Sequence, residues 1–372
     1  MRYYIIAGEA SGDLHAGNLL KEIRKNDPTA EFRAWGGDLM EAAGAQLVKH
    51  YRELAFMGFA EVIRNLPTIL GNLKFCKEDI LSYQPDALIL VDYPGFNIRI
   101  STWAKEKGIR VIYYISPQVW AWKENRVKKL KQSVGKMLVI LPFEKAFYQK
   151  WNYEVEYVGH PLVEVIDSFL SVHKQDVAAP NGRGIIALLP GSRKQEIIKK
   201  LPIMLEVAAY FPQFQFVVAK APGQEDEFYT PMLEKYTNVS SVRNETYRLL
   251  SQAQAALVTS GTATLETALF GVPEVVCYKG SNISYQIAKR LIRVKYISLV
   301  NLIMDKSVVT ELIQQELTPQ NLKTELESLL FDQVRRSALE ADYKALRELL
   351  SAGGHASYNA ARLIDIFMKT GK

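Results

Sequence analysis

The chain has 372 residues, of which 48% are hydrophobic and 23% charged, and a net charge of +6 at pH 7. This composition excludes a disordered chain, and the length suits two domains that each bury a core. The modest positive charge does not by itself indicate nucleic acid, since a basic footprint must be clustered, but it suits anionic substrates or an anionic membrane surface. The two cysteines, Cys76 and Cys277, lie far apart and have no metal-ligand spacing, which argues against a disulfide framework.

The chain begins with an apolar run that ends before Glu9 and Asp13, and we interpret this run as a first strand rather than as a signal peptide. No stretch reaches the roughly 18 uncharged apolar residues that a membrane-spanning helix requires.

Short apolar runs alternate with helical patterns along both halves of the chain. This alternation predicts parallel sheets with right-handed crossovers, whose strands are buried on both faces. The predicted strands are Tyr3–Ala7, Ala87–Val91, Val111–Ile115, Met137–Leu141, Ile185–Leu189, Phe216–Ala219, Ala255–Val258 and Glu274–Tyr278. The predicted helices include Leu14–Lys25, Ile98–Lys107, Glu196–Tyr210 and Tyr285–Ile292.

A polar stretch over residues 172–183, with Pro180 and Gly182, predicts the domain boundary. The sequence therefore predicts an α/β fold of two Rossmann-like domains, over residues 1–172 and 183–352, with a cleft between the carboxyl ends of their sheets. Residues 353–372 hold a last helix, about His355–Met368. We expect this helix to return to the first domain, although its pattern alone does not show that.

Aspartate 92 ends the predicted strand Ala87–Val91, in the sequence Asp92-Tyr93-Pro94-Gly95. A carboxylate at that end of a parallel strand is placed to act as a general base on an acceptor hydroxyl. A helix cap or a loop aspartate is the alternative, and His15 and His160 are rival bases.

An aromatic turn, Gln118-Val119-Trp120-Ala121-Trp122, follows the predicted strand Val111–Ile115 and runs into a basic segment, Lys123–Lys131. Two tryptophans beside cations fit the lining of an acceptor pocket. They fit equally well as core aromatics next to a solvated helix face, so both interpretations stay open.

Apolar side chains at helical spacing mark Leu54–Leu73, with cations at the edge of the pattern and Pro67 expected to start a new turn or to kink the helix. An amphipathic core helix is one interpretation, and a helix lying on a membrane surface is the other. The candidate membrane contacts are Phe56, Met57, Phe59, Val62, Ile63 and Leu66.

The turn after the predicted strand Ile185–Leu189 reads Pro190-Gly191-Ser192-Arg193. Glycine lets backbone approach a ligand closely, and a phosphate partner explains a cation where a helix opens. A solvated loop arginine is the commoner alternative, but a second turn at the corresponding position of a later strand favours diphosphate binding. Neither turn is a P-loop, and Gly8–Gly12 is not G-x-G-x-x-G, which argues against dinucleotide chemistry.

That second turn follows Ala255–Val258 and reads Ser260-Gly261-Thr262-Ala263-Thr264-Leu265-Glu266. The free N–H groups and partial positive charge of the helix that it opens favour phosphate, and Glu266 is placed to accept hydrogen bonds from ribose hydroxyls. Capping of the helix by Ser260 or Thr262 explains the same residues equally well, so both interpretations stay open.

Together these residues resemble the lipid-A-disaccharide synthase family over nearly the whole chain. The motifs that carry the resemblance are GEASGD at 8–13, LAFMGFAEV at 54–62, DYPGFN at 92–97, YYISPQVWAWKENR at 113–126, LPFEKAFY at 141–148, GHPL at 159–162, LLPGSRKQEI at 188–197, SGTATLE at 260–266, and AKRL with YISLVNLI at 288–303. One departure is Gly95, where some relatives are expected to carry an acidic residue, so Asp92 is the only carboxylate of its motif.

The resemblance implies an inverting glycosyltransferase of the GT-B fold, which joins UDP-2,3-diacylglucosamine to 2,3-diacylglucosamine 1-phosphate (lipid X) by a β-1,6 linkage and releases UDP. Asp92 would be the base. The implied UDP site is Gly191, Ser192, Arg193, Ser260, Gly261, Thr262, Glu266, Tyr278 and Asn301. The implied acceptor side is Gly8, Glu9, Ser11, Asp13, His15, Gln118, Trp120 and Trp122.

The resemblance also implies that the enzyme needs no cofactor and no bound metal. It implies a cytoplasmic protein, monomer or homodimer, that associates peripherally with the inner membrane and does not bind nucleic acid.

Two other classes of protein stay open. An epimerase-like enzyme acting on UDP-N-acetylglucosamine would need no lipid-facing surface, whereas a non-enzymatic membrane or nucleic-acid binder would use Lys123–Lys131. Dependence of activity on acylated substrates separates the synthase from the epimerase, and thermal protection by UDP argues against the non-enzymatic binder.

Overall fold

The computed structural model describes residues 1–54, 66–173, 183–281 and 294–371, apart from the side chains of Leu66 and Trp122. The chain divides into two compact units, the first of Met1–Pro161 with Leu350–Lys372 and the second of Leu162–Leu349. Residues 162–172, which the sequence analysis assigned to the first domain, therefore belong to the second unit. The final helix belongs to the first.

The strands of the described residues are β1 (Arg2–Ala7), β2 (Glu31–Gly36), β3 (Gln46–His50), β4 (Ala87–Val91), β5 (Arg110–Tyr114), β6 (Lys136–Val139), β7 (Glu156–Tyr157), β8 (Ile185–Leu189), β9 (Gln215–Lys220), β10 (Val239–Arg243), β11 (Ala253–Thr259), β12 (Glu274–Tyr278) and β13 (Thr310–Ile313). The helices are α1 (Ala10–Asn26), α2 (Asp38–Ala42), α3 (Leu66–Tyr83), α4 (Pro94–Glu106), α5 (Val119–Trp122), α6 (Val127–Ser133), α7 (Glu144–Gln149), α8 (Pro161–Val172), α9 (Lys194–Glu206), α10 (Asp226–Leu233), α11 (Thr246–Gln252), α12 (Thr262–Leu269), α13 (Leu299–Met304), α14 (Pro319–Phe331), α15 (Gln333–Ser351) and α16 (Ala356–Thr370).

Each unit contains one parallel sheet. The strand order is β3-β2-β1-β4-β5-β6-β7 in the first unit and β10-β9-β8-β11-β12-β13 in the second. In both sheets the order reverses direction between two central neighbours, which are β1 and β4 in the first unit and β8 and β11 in the second. Parallel α/β sheets bind ligands at the carboxyl ends of such a pair of strands.

Helices cover the first sheet on both faces. Successive side chains of each strand point to opposite faces, so each strand contributes to two buried clusters. Ile5 and Ile89 pack in one buried cluster with residues of α1 and α16. Ile6 and Leu90 pack in a second cluster with residues of α3 and α4. The last helix is also held at its end, where Arg110 Nη1 donates a hydrogen bond to the carbonyl oxygen of Met368 (2.7 Å).

All eight predicted strands are confirmed, with ends that differ by no more than two residues, and the two-domain α/β class is confirmed with them. Residues 55–65 of the predicted helix Leu54–Leu73 lie outside the described residues. Its remaining part belongs to a helix over Leu66–Tyr83, which continues beyond Leu73. Pro67 is the second residue of that helix as the structure describes it. The predicted helix Tyr285–Ile292 lies outside the described residues.

Candidate functional site

Asp92 lies directly after β4 and beside the turn that follows β1, because Ala7 and Val91 are opposite each other at the ends of these strands. Its backbone is in the left-handed region, with φ of 44°. Its carbonyl oxygen accepts hydrogen bonds from Asn97 Nδ2 (2.9 Å) and Tyr113 Oη (2.6 Å). These bonds fix the residue at the edge of the sheet where ligands bind in this class of fold.

The electrostatic surroundings of Asp92 suit proton transfer. Burial of the side chain and the negative charge of Glu9 together raise the pKa of the Asp92 carboxyl to about 7. A carboxyl that titrates near neutral pH is well matched to take a proton from a hydroxyl group. Asp92 is not the N-cap residue of α4, which is Tyr93.

The turn after β1 approaches Asp92 closely. A side-chain carbon built on Gly8 would lie 2.4 Å from Cγ of the Tyr93 ring, so only glycine fits at this position. Glu9 follows at the start of α1 and is partly exposed, and Ser11 is exposed. The structure therefore brings Gly8 and Glu9 together with Asp92.

Asp13 has a different role from the predicted acceptor contact. It is buried, and its carboxylate accepts hydrogen bonds from the backbone N–H groups of Gly37 (2.8 Å), Leu39 (3.1 Å) and Met40 (3.1 Å). Asp13 thus supplies the cap that Gly37, the N-cap residue of α2, has no side chain to make.

The two rival histidines are both buried in the first unit. Burial lowers the pKa of His15 to about 4, and burial with repulsion from His15 lowers that of His160 to about 3. Both rings are neutral at pH 7. Such a low pKa makes His15 a weaker proton acceptor than the Asp92 carboxyl.

The aromatic turn contributes little to an open pocket in the described residues. Trp120 is buried and packs edge-on against Phe143, with ring centroids 4.9 Å apart. This packing favours the core-aromatic interpretation of Trp120, and its place in the acceptor lining stays a prediction. Gln118 is exposed, and the Trp122 side chain lies outside the described part of the structure.

The candidate membrane contacts Phe56, Met57, Phe59, Val62 and Ile63 lie outside the described residues, as does the side chain of Leu66. Further along α3, Leu70 and Phe75 have 53% and 47% of their surface exposed, so this helix presents large apolar side chains to solvent. None of the described helices combines the length and the apolar character needed to cross a bilayer.

In the second unit, the turns Pro190–Arg193 and Thr259–Glu266 lie side by side, because Leu189 of β8 is opposite Val258 of β11. Gly191 has φ of 108°, a conformation that favours glycine. Arg193 is the exposed N-cap residue of α9, and its Nη1 lies 3.2 Å from Glu196 Oε1. The structure thus brings the two predicted phosphate turns to one edge of the sheet.

The start of α12 has no side-chain cap. Its N-cap residue is Gly261, which has no side chain to cap the helix. Ser260 Oγ instead donates to the carbonyl oxygen of Ile297 (2.9 Å), and Thr262 is exposed. The capping interpretation is therefore wrong, and the first-turn N–H groups of α12 form the kind of helix start that binds anions.

Glu266 lies in the second turn of α12 and is only partly exposed. Tyr247 Oη donates a hydrogen bond to its Oε1 (2.8 Å), and this bond partly offsets the burial that raises the pKa of Glu266. Tyr247 is itself packed against the rings of Phe169 and Phe270. A tyrosine that the sequence analysis did not single out thus orients the carboxylate.

Asn301 does not offer its side chain to a ligand, which corrects its predicted role. It is fully buried. Its Nδ2 donates to the carbonyl oxygen of Val309 and to Glu311, and its Oδ1 accepts from the N–H groups of Val308 and Val309. All four hydrogen-bonding positions of the amide are therefore occupied. Tyr278 ends β12 at the same sheet edge as the two turns and stays a candidate contact.

Comparison with known proteins identifies the family. A sequence model of the family described as lipid-A-disaccharide synthetase matches residues 3–364. The lipid-A-disaccharide synthase of Geobacter metallireducens is 39% identical over 377 residues, which cover 99% of this chain and 98% of that protein. The chain belongs to the lipid-A-disaccharide synthase family. It is accordingly a glycosyltransferase of lipid A biosynthesis.

Solved structures share the fold at much lower sequence identity. A UDP-GlcNAc 2-epimerase from Neisseria meningitidis, bound to UDP-GlcNAc, matches with a TM-score of 0.69 at 14% identity, covering 100% of both chains. The glycotransferase of kitacinnamycin matches with a TM-score of 0.67 at 16% identity, covering 98% of each chain. These matches show the GT-B fold alone. The epimerase alternative thus shares the fold of this chain, whereas the sequence belongs with the synthases.

Sequence reasoning missed one buried charged residue beside the two turns of the second unit. Lys200 is buried, with 2% of its surface exposed, at the carboxyl ends of β8 and β11. The sequence pattern that could have revealed Lys200 is its helical spacing, because Lys200 lies on the same buried face of α9 as Ile197, Leu201 and Met204. A lysine on the apolar face of a helix is rarely buried without a specific partner.

Proposed function

We propose that the chain transfers the diacylglucosamine group of UDP-2,3-diacylglucosamine to the 6-hydroxyl of lipid X. The products are the β-1,6-linked lipid A disaccharide 1-phosphate and UDP. The observation that supports this proposal best is the pair of adjacent turns at the centre of the second sheet, one with an arginine and the other with an uncapped helix start. Incubation with both substrates followed by mass spectrometry of the lipid product tests it. Release of UDP without a disaccharide, or epimerisation of UDP-N-acetylglucosamine, would contradict it.

The second unit supplies the donor site in this proposal. Backbone N–H groups at the start of α12 and the Arg193 guanidinium face the diphosphate, and Glu266 accepts hydrogen bonds from the ribose. As the anomeric carbon–oxygen bond breaks, negative charge grows on the diphosphate. Fixed dipoles and cations aimed at that charge stabilise the transition state more than the ground state.

The first unit supplies the base. The Asp92 carboxylate takes the proton of the acceptor hydroxyl while the hydroxyl oxygen bonds to the anomeric carbon of the donor. Attack on the face opposite the leaving UDP inverts that carbon from α to β. The pKa of about 7 leaves a substantial fraction of Asp92 ionised at neutral pH, which favours it over His15.

We expect Arg193→Ala and Glu266→Ala each to weaken UDP binding about tenfold or more, since one charge-assisted hydrogen bond is worth roughly 1.5–3 kcal/mol. Calorimetric titration with UDP measures this effect. Lys194→Ala, which changes the exposed cation next to Arg193, is the matched control. Unchanged UDP affinity and unchanged turnover in both variants would falsify the assignment of the donor site.

Acylated substrates have to be reached at a bilayer surface, and the segment around Phe56–Leu66 is our candidate for that contact. Buried apolar area contributes about 25 cal/mol per Å², and each nearby Lys or Arg adds roughly 1 kcal/mol on anionic lipid. The triple change Phe56→Ser, Met57→Ser and Phe59→Ser is expected to lower co-sedimentation with anionic liposomes while UDP binding survives. Loss of folding in this variant would instead assign the segment to the core.

A further inference from the structure

The buried Lys200 holds an ammonium group inside the second unit, between α9 and the end of β11. Its Nζ donates a hydrogen bond to Thr259 Oγ1, and it lies 3.6 Å from Glu196 Oε2. Burying an ammonium group is costly unless charged and polar partners compensate for the lost hydration. An ammonium has three N–H donors, so a hydroxyl and a carboxylate at this distance leave it capacity for a further acceptor.

The ammonium lies beneath the backbone of the first phosphate turn. A side-chain carbon built on Gly191 would lie 3.6 Å from Lys200 Nζ and 2.7 Å from Glu196 Oε2. Because residue 191 is glycine, this residue places no side chain against these two charged groups. The cation therefore lies at the junction of the two turns that the proposed function assigns to the donor diphosphate.

The Glu196 carboxylate is shared between two cations of this region. One oxygen is 3.2 Å from Arg193 Nη1 and the other is 3.6 Å from Lys200 Nζ. Glu196 also lies in the first turn of α9, where the helix dipole favours an anion. An anionic group therefore lies between the Arg193 guanidinium and the Lys200 ammonium, a position whose charge also suits a phosphate.

We propose that Lys200 is a further diphosphate-binding residue of the donor site, and that the donor phosphate displaces the Glu196 carboxylate from Arg193 and Lys200 when it binds. This inference rests on the proposed function, because it needs a nucleoside diphosphate at the two turns. Burial strengthens the contact, since the attraction between charges is greater away from bulk water. The displaced carboxylate returns when UDP leaves, which keeps the buried ammonium paired between turnovers.

The test compares UDP with uridine, which has the same base and ribose but no phosphate. Lys200→Gln removes the charge but keeps a donor for Thr259, and Lys200→Met removes both. Each variant is expected to weaken UDP binding about tenfold or more, the value of one charge-assisted hydrogen bond, and to leave uridine binding unchanged. Lys199→Gln, an exposed neighbour on the same helix, should change neither affinity.

The variant Glu196→Gln tests whether the donor phosphate displaces the Glu196 carboxylate or whether this carboxylate only holds Arg193 and Lys200 in place. If the carboxylate competes with phosphate, this variant binds UDP at least as tightly as the wild type and releases it more slowly. Weaker UDP binding by Glu196→Gln would overturn the displacement step.

A melting temperature lowered by both Lys200 variants, with the ratio of UDP to uridine affinity unchanged, would show that Lys200 only braces α9 against β11 and would overturn its role as a ligand contact. Failure of the wild-type protein to bind UDP would overturn the proposed donor function itself.

Discussion

Replacing Asp92 by Asn is expected to lower turnover ~10²–10⁴-fold, the usual contribution of a positioned general base. Asparagine has nearly the shape of aspartate and also tolerates the left-handed backbone at this position, so the substitution removes the base without straining the turn. UDP affinity should stay at the wild-type level, because Asp92 belongs to the first unit and the proposed donor residues to the second. Single-turnover assays with the acylated substrates, alongside UDP titration, measure both quantities.

The dependence of the rate on pH identifies the base independently. Since the ionised carboxyl is the active form and its pKa is about 7, kcat/KM of the wild type should fall as the pH drops through this value. Glu9→Gln removes a negative charge that raises this pKa, so it should move the acid limb to lower pH. If the acid limb of the kcat/KM profile stays at the same pH in Glu9→Gln, a group other than Asp92 controls the rate in this pH range.

The raised pKa of Asp92 also determines how the stability of the wild type changes with pH relative to Asp92→Asn. The folded-state pKa is raised above the unfolded value of 3.8, so the folded protein binds the proton more tightly. The stabilisation from this group is complete below the unfolded pKa and is lost as the pH rises through about 7. Relative to Asp92→Asn, the wild-type melting temperature should therefore be lower at pH 8 than at pH 5.

The rival base is tested by His15→Ala. Near-normal turnover in Asp92→Asn together with a large loss in His15→Ala would assign the base to the histidine. The low pKa of His15 leads us to expect the opposite result.

Strand prediction succeeded for the strands with long apolar runs. It missed the interior strand β2, which begins with Glu31 and contains Arg33, and the edge strands β3, β7, β10 and β13. The strands β1, β4, β8 and β12 are apolar at nearly every position because both of their faces are covered. The strands β3, β10 and β13 lie at the edges and contain polar, partly exposed residues, so no apolar run marks them. Only pairing with a neighbouring strand defines such segments, and this pairing is not visible in local sequence.

The glycine turns of the site could be predicted because each follows a strand directly, so position along the chain determines position in the sheet. The hydrogen-bond partners of a polar side chain could not be predicted from the sequence. All four hydrogen-bonding positions of the Asn301 amide are taken by Glu311, by the carbonyl oxygen of Val309 and by the N–H groups of Val308 and Val309. Lys200 meets Thr259, 59 residues further along the chain. Whether a polar group is free for a ligand depends on such tertiary partners.

Replacing Asp13 by Ala is expected to lower the stability of the protein strongly. Its carboxylate satisfies three backbone N–H groups at the start of α2, the first of them 24 residues further along the chain. Asp13→Ala leaves these donors without an acceptor, and each buried, unsatisfied donor costs about 1–3 kcal/mol. We expect the free energy of unfolding to fall by about 3 kcal/mol or more, a large part of the usual 5–15 kcal/mol. Urea unfolding and hydrogen exchange at Gly37, Leu39 and Met40 measure the loss.

The control is Glu41→Ala, which removes an exposed carboxylate from α2 itself and should leave both measurements nearly unchanged. Asp13→Asn keeps one acceptor oxygen and should lie between the wild type and Asp13→Ala. One specific outcome would instead support the acceptor role that the family resemblance implied for Asp13. If Asp13→Ala keeps wild-type stability and exchange but loses turnover at normal UDP affinity, the carboxylate contacts the acceptor in the working enzyme, and its bonds to α2 must break when lipid X binds.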